Sequence, residues 1–166
     1  MSVLVTLDFD GVVSPYEPCE PAEADWAPFR LGGFDLHIRR EVLDLLQWLA
    51  ASPATTVWAS SWGHLTQTFA TNSLGAIPDF PNLVLDHEQS AKSDAITAAA
   101  NGDGPAFARR REGAFDTVVV VDDDRTVGES VKRRLGERAI LVAPRGHGGL
   151  TDRQIATIRR SVDSCP

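Results

Sequence analysis

Val3-Leu4-Val5-Thr6-Leu7-Asp8-Phe9-Asp10-Gly11-Val12-Val13 begins as an apolar run and turns abruptly into two carboxylates separated by one residue, followed by a glycine. Five successive apolar or β-branched positions without alternation predict a strand buried on both faces. Such a strand cannot end in paired negative charges without compensation. Carboxylates about 4 Å apart repel by around 4 kcal/mol at an effective dielectric of 20. A divalent cation is the obvious neutralising partner, and the rest of the chain must be searched for the remainder of such a site.

The size and composition set the frame. With 166 residues, of which 43% are hydrophobic, the chain fits one domain over 1–166 with an adequate core. Sixteen basic against 23 acidic residues give a net charge of −7, which argues against tight non-specific nucleic-acid binding. Arg109-Arg110-Arg111, Lys132-Arg133-Arg134 and Arg159-Arg160 are basic clusters, read first as solvated faces. Cys19 and Cys165 have no metal-ligand or CxxC spacing, as expected in a reducing, cytoplasmic setting. No apolar run reaches the roughly 18 residues of a membrane span, and the N-terminus reads as a strand rather than a signal peptide. The expectation is a cytoplasmic protein without a membrane partner.

Five segments read as strands: Val3–Leu7, Thr56–Ala59, Leu83–Leu85, Thr117–Val121 and Ala139–Val142. Helical patterns lie between them. Ile38, Val42, Leu45, Leu46 and Leu49 share one helical face, and Ala91 to Ala100 is alanine-rich with Ile96 inward. Thr126 with Glu129, and Thr151 with Gln154, have the spacing of capping boxes, with Asp124 read as a further helix cap before the first, and the second opening a helix with Ile155, Ile158 and Val162 as its stripe. Alternating strands and helices predict an α/β fold, a Rossmann-like three-layer sandwich with a five-stranded, mostly parallel sheet. Ligands bind such sheets at the carboxyl ends of the strands. Ser14 to Asp35, with four prolines and Gly32-Gly33, is too long for an ordinary loop and predicts a flap or short hairpin at about 14–35. Asn101 to Gly113 reads as a surface loop.

The strand ends carry the polar residues. The first bears Asp8 and Asp10; the second runs through Trp58-Ala59 into Ser60-Ser61-Trp62; Lys92 opens a helix beyond the third; the fourth ends in Asp122-Asp123-Asp124. The order of aspartate pair, hydroxyl, lysine and aspartate pair resembles the four motifs of the haloacid dehalogenase (HAD) superfamily of phosphotransferases, from Val3 to about Val142. Asp-Gly-Val-Val, Trp-Ala-Ser-Ser-Trp-Gly, Leu74-Gly75 and Gly149-Leu150-Thr151 also look like the small HAD domains associated with bacterial RNA-repair proteins. No interval is long enough for a large cap domain.

The resemblance implies a magnesium-dependent phosphatase, and the chemistry gives each residue a reason. Asp8 is the expected nucleophile, forming an aspartyl-phosphate and splitting one difficult displacement into two easier ones. Asp10 is the expected proton donor to the leaving oxygen and then the base for water. Ser60, favoured over Ser61, is placed to hydrogen-bond a phosphoryl oxygen, and Lys92 to neutralise the nucleophile and the transferring group. Mg2+ takes oxygen ligands; Asp8 and Asp122 are its expected side-chain ligands, Asp123 a direct or water-mediated one, and Asp10 a ligand through its backbone carbonyl, as the resemblance implies. Trp58 reads as core, Trp62 as core, rim or a base-stacking surface, and His64 as peripheral. His37, His87 and His147 have no ligand spacing, and Gly146-His147-Gly148-Gly149 lacks the context of a phosphate loop.

The expected substrate is a phosphomonoester, either a nucleotide or nucleic-acid end or a small metabolite phosphate. The competing class is a non-enzymatic module, a catalytically inactive HAD fold or a receiver-like phospho-binding domain. Receivers carry adjacent acidic residues after the first strand and the acceptor after the third. Here the first strand carries Asp-x-Asp, and Asp10 serves turnover rather than binding.

Overall fold

The computed structural model describes residues 2–16, 26–31, 34–83, 89–105 and 113–164. In chain order the elements are β1 (Val3–Leu7), β2 (Trp26–Leu31), β3 (Phe34–Arg39), α1 (Arg40–Ala51), β4 (Thr55–Trp58), α2 (Leu65–Asn72), α3 (Gln89–Ala100), β5 (Thr117–Val121), α4 (Arg125–Leu135), β6 (Ala139–Val142) and α5 (Asp152–Asp163). Strands β4, β1, β5 and β6 form one parallel sheet in that spatial order, while β2 and β3 form a separate antiparallel hairpin.

Among the described residues the sheet has four strands, and of the expected fifth, Leu83–Leu85, only Leu83 is described. Where Leu83–Leu85 was expected to be a strand, an isolated parallel bridge joins Asn82 to Trp58 on the outer side of β4. Trp58 N–H donates to Pro81 O at 2.8 Å and Leu83 N–H to Trp58 O at 2.8 Å. Proline at 81 offers no ladder donor, and residues 84–88 lie outside the described set.

Alternation along each strand divides two cores between the sheet faces. Val3, Val5, Leu7, Val119 and Val121 pack with Val42, Leu45, Leu46 and Leu49 of α1 and with Ile155, Ile158 and Val162 of α5. Leu4, Val57, Val118 and Val120 face Ile96, Ala99 and Ala100 of α3 and Val127, Val131 and Leu135 of α4. This gives the three-layer arrangement. Two local expectations change. Ile38 lies in β3, because α1 begins at Arg40, and reaches the same core from the hairpin. Asp124, not Thr126, caps α4: its carboxylate accepts from Thr126 N–H at 2.8 Å, so Thr126 sits inside the first turn. The capping box of Thr151 and Gln154 forms as expected.

The segment read as a flap, 14–35, holds β2 and the first two residues of β3, whose hairpin runs on to Arg39; residues 17–25 and 32–33 lie outside the described set, as do His87, 106–112 and Cys165. The hairpin's second strand is fixed to the domain. Leu36 and Ile38 are buried, and Arg39 donates to Leu150 O at 3.0 Å and to Asp152 at 2.7 Å. Among the described residues, no helix is long and apolar enough to cross a membrane.

Phe9, between the two aspartates, turns inward and is fully buried against Trp58, Trp62 and Phe69, with ring centroids 5.6, 6.3 and 4.8 Å away. It anchors the turn to the core. Phe9→Ala is expected to cost about 3–5 kcal/mol in urea unfolding; a loss under about 1 kcal/mol would contradict this anchoring role.

Candidate active site

Strand register assembles the acidic site. Leu7 pairs with Val121, and Asp8 N–H donates to Val121 O at 2.9 Å, so Asp8 and Asp122 leave neighbouring parallel strands side by side. Asp122 N–H in turn donates to Val142 O at 3.1 Å, fixing the same point against β6. Lys92, in the first turn of α3, reaches between the two. Its Nζ lies 2.6 Å from Asp8 Oδ2 and 2.7 Å from Asp122 Oδ2. Lys92 and Asp122 are buried, at 6% and 3% exposure. The second oxygens are held by backbone: Asp8 Oδ1 accepts from Phe9 N–H at 2.7 Å, and Asp122 Oδ1 from Asp124 N–H at 2.9 Å.

One ammonium does not balance this group. Asp8, Asp122 and Asp123 each place a carboxylate oxygen within 4.8 Å of the others. Burial pushes the Asp122 carboxyl up to about 6, with Asp8 adding to the shift and Lys92 opposing it. Asp123 is also raised, by burial and then by Asp8. Burial alone would lower the Lys92 pKa, but Asp8 and Asp122 outweigh it and the net direction is up. Three hard oxygen donors with an uncompensated negative charge fit a hard divalent cation such as Mg2+.

Asp10 contributes no carboxylate oxygen to that group. Its Oδ2 accepts from the Trp62 indole N–H at 2.5 Å. Burial raises its pKa, against the Trp62 hydrogen bond and with Asp8 and Asp123. Ser60 is fully buried and Ser61 exposed. Ser60 Oγ accepts from Trp62 N–H at 3.4 Å, while Asn82 Nδ2 clamps the Ser60 and Gly63 carbonyls at 3.0 Å each. Trp58 is core, and His64 is an exposed residue at the start of α2.

Some of the surroundings were not foreseen. The Gly146–Gly149 loop packs on the turn after β1: Tyr16 N–H donates to Gly146 O and Leu150 N–H to Val12 O, each at 3.1 Å. A Cβ on Gly146 would lie 2.6 Å from Asp123 Oδ2 and 2.7 Å from the Tyr16 ring. Gly11, at φ +67°, would bring a Cβ within 2.6 Å of Asp123 Cγ. These glycines are there because backbone and carboxylate approach closely, a signal the glycine cluster carries without a phosphate-loop context. The Tyr16 hydroxyl lies against Asp123; burial first, then Asp123, pushes it up to about 12.

No protein-family model matches the sequence, and no curated protein matches it. Among solved structures, the chain is similar to the HAD domain of the effector protein Lem4 from Legionella pneumophila. The TM-score is 0.65 at 13% identity, over 99% of this chain and 96% of that one. The fold is HAD-like. That neighbour is an effector's domain, so the likeness to RNA-repair proteins rests on sequence alone.

Two outcomes follow from the charge balance. Lys92→Met leaves the buried Asp122 carboxylate facing the half-buried Asp8 and is expected to cost about 3–5 kcal/mol in urea unfolding without divalent cation. Mg2+ should restore more stability to the variant than it adds to wild type; a cost under about 1 kcal/mol would contradict the bridge.

The second concerns pH. Because the folded-state pKa of Asp122 is raised from 3.8 to about 6, the folded protein holds the extra proton between these values. Metal-free stability from this group therefore falls as pH rises across the window. A cation must displace that proton below the window's upper end, so the melting-temperature gain from Mg2+ should be larger at about pH 7.5 than at about pH 5. Equal gains would contradict the assignment.

Proposed function

We propose that the protein is a HAD-type phosphatase that hydrolyses phosphomonoesters through an aspartyl-phosphate on Asp8. The observation that carries this is the division of labour between the paired aspartates. Asp8 points into the Lys92–Asp122 group, whereas Asp10 turns away to Trp62.

In the first step an Asp8 carboxylate oxygen attacks phosphorus and the bond to the leaving oxygen breaks. Asp10 gives its proton to that oxygen, so an alcohol departs. In the second step water attacks the same phosphorus and passes a proton to Asp10. The bond to Asp8 breaks, releasing inorganic phosphate and restoring both carboxyl groups to their starting state. Lys92 offsets charge on Asp8 and on the transferring oxygens, and a Ser60 or Ser61 hydroxyl is the candidate donor to one of them. Asp8, Asp122 and Asp123 would hold Mg2+, with the Asp10 carbonyl as a further ligand on the family pattern. The cation would supply charge neutralisation at the phosphoryl oxygens.

The substrate is a phosphorylated small molecule, a nucleotide or a nucleic-acid end. A net charge of −7 weighs against long nucleic acids bound through their backbone. Asp10 also favours turnover over a receiver-like or inactive binding module, since a module that only holds a phosphoryl group has no use for a proton shuttle.

Purified protein with Mg2+ is expected to hydrolyse an aryl phosphate. Asp8→Asn should lower kcat by at least about 10³-fold while the fold is kept. No turnover by wild type on a panel of sugar phosphates, nucleotides and 3′- or 5′-phosphorylated oligonucleotides would overturn the proposal.

A further inference from the structure

We infer that Trp62 is a positioning residue that fixes the Asp10 carboxyl and selects which of its oxygens moves the proton. This rests on the phosphatase reading above. Trp62 donates from Nε1 to Asp10 Oδ2 at 2.5 Å across 52 residues of sequence. The indole is itself held: its ring stands edge-on to Phe9 at 6.3 Å and to Phe69 at 5.1 Å, and both phenylalanines are buried. Its backbone N–H is directed at Ser60 Oγ, which ties the same residue to the end of β4.

An indole N–H is a donor and nothing else. Oδ2 of Asp10 is therefore engaged as an acceptor in both protonation states, and the proton that is given and retaken resides on Oδ1. A flexible aspartate has two equivalent oxygens and several rotamers. This one has a single oxygen for proton transfer, on a side chain pinned at the other end by a ring locked in the aromatic cluster. Such fixing matters because a misplacement of about 1 Å can cost about 100-fold in rate. In this scheme Trp62 acts through Asp10, to which its indole N–H donates.

The balance of the reaction supplies a discriminating test. When the phosphate ester bond to an alkyl group breaks, the leaving oxygen needs the Asp10 proton. When it breaks to an acidic phenol, the phenolate leaves without one. Trp62→Phe removes the N–H and keeps a ring between Phe9 and Phe69. With Mg2+ present, kcat/KM for an alkyl phosphate should fall about 10–100-fold, while for a nitrophenyl phosphate it stays within about threefold. In an Asp10→Ala background, Trp62→Phe should change the alkyl rate by less than about twofold. Trp62→His, whose ring N–H can donate, should recover part of the loss.

A direct readout stands beside the kinetics. The indole N–H resonance that disappears in Trp62→Phe should shift in Asp10→Ala. Equal losses on alkyl and aryl substrates, an equal loss in both backgrounds, or an indole resonance indifferent to Asp10 would each overturn the positioning role. If wild type hydrolyses neither substrate class, the phosphatase reading falls and takes this role with it. If wild type turns over and Trp62→Phe matches it on alkyl phosphates, only the positioning role falls.

Discussion

Lys92 bridging Asp8 and Asp122 at 2.6 and 2.7 Å is the interaction on which the site depends. Two carboxylates delivered by adjacent parallel strands would repel at the carboxyl edge of the sheet. A buried ammonium from α3 lets them coexist, and in doing so it ties the start of α3 to the ends of β1 and β5. The compensation is incomplete. Asp123 stands in the same group, and Asp122 is driven up to about 6. A folded protein carrying that residual imbalance gains by taking a cation, so the fold and its proposed chemistry draw on the same electrostatics.

The neighbourhood divides by role. On one side are the ammonium, the three clustered carboxylates, and the Gly11 and Gly146 backbones that make room for Asp123. On the other are Asp10, Trp62 and the buried aromatic cluster around Phe9. Phe9 lies between the two aspartates in sequence, and its buried ring anchors the turn that carries both. The two carboxylates meet different partners, Lys92 for Asp8 and the Trp62 indole for Asp10.

Much of this was legible in the chain. Continuous Val-rich runs gave β1 and β5, the strand ends gave Asp8 and Asp122, because a parallel sheet presents its ligand-binding groups there, and a helix opening gave Lys92. Of the expected fifth strand, Leu83–Leu85, only Leu83 is among the described residues; its N–H donates to Trp58 O beside the Asn82 bridge on the free edge of β4. Ile38 matched a helical period but belongs to β3, a short-range ambiguity that only tertiary pairing resolves. The Thr126 spacing imitates a capping box, yet Thr126 is inside the first turn and its own N–H is capped by Asp124, the other cap the sequence offers. The Trp62–Asp10 and Tyr16–Asp123 contacts join segments that periodicity does not connect, so composition and spacing could not supply them. Gly146 and Gly149 did leave a trace as a glycine cluster, whose meaning was close approach rather than phosphate binding.

The central claim is that Asp8 carries the phosphoryl group during turnover. Rapid acid quenching of the protein in the steady state with Mg2+ and a phosphomonoester, followed by peptide mass mapping, addresses it most directly. One phosphoryl group is expected on the peptide containing Asp8, located at Asp8 and lost on treatment with hydroxylamine. A phosphoryl group on Ser60 or Ser61, or turnover with an unmodified Asp8 under every quench time, would contradict it.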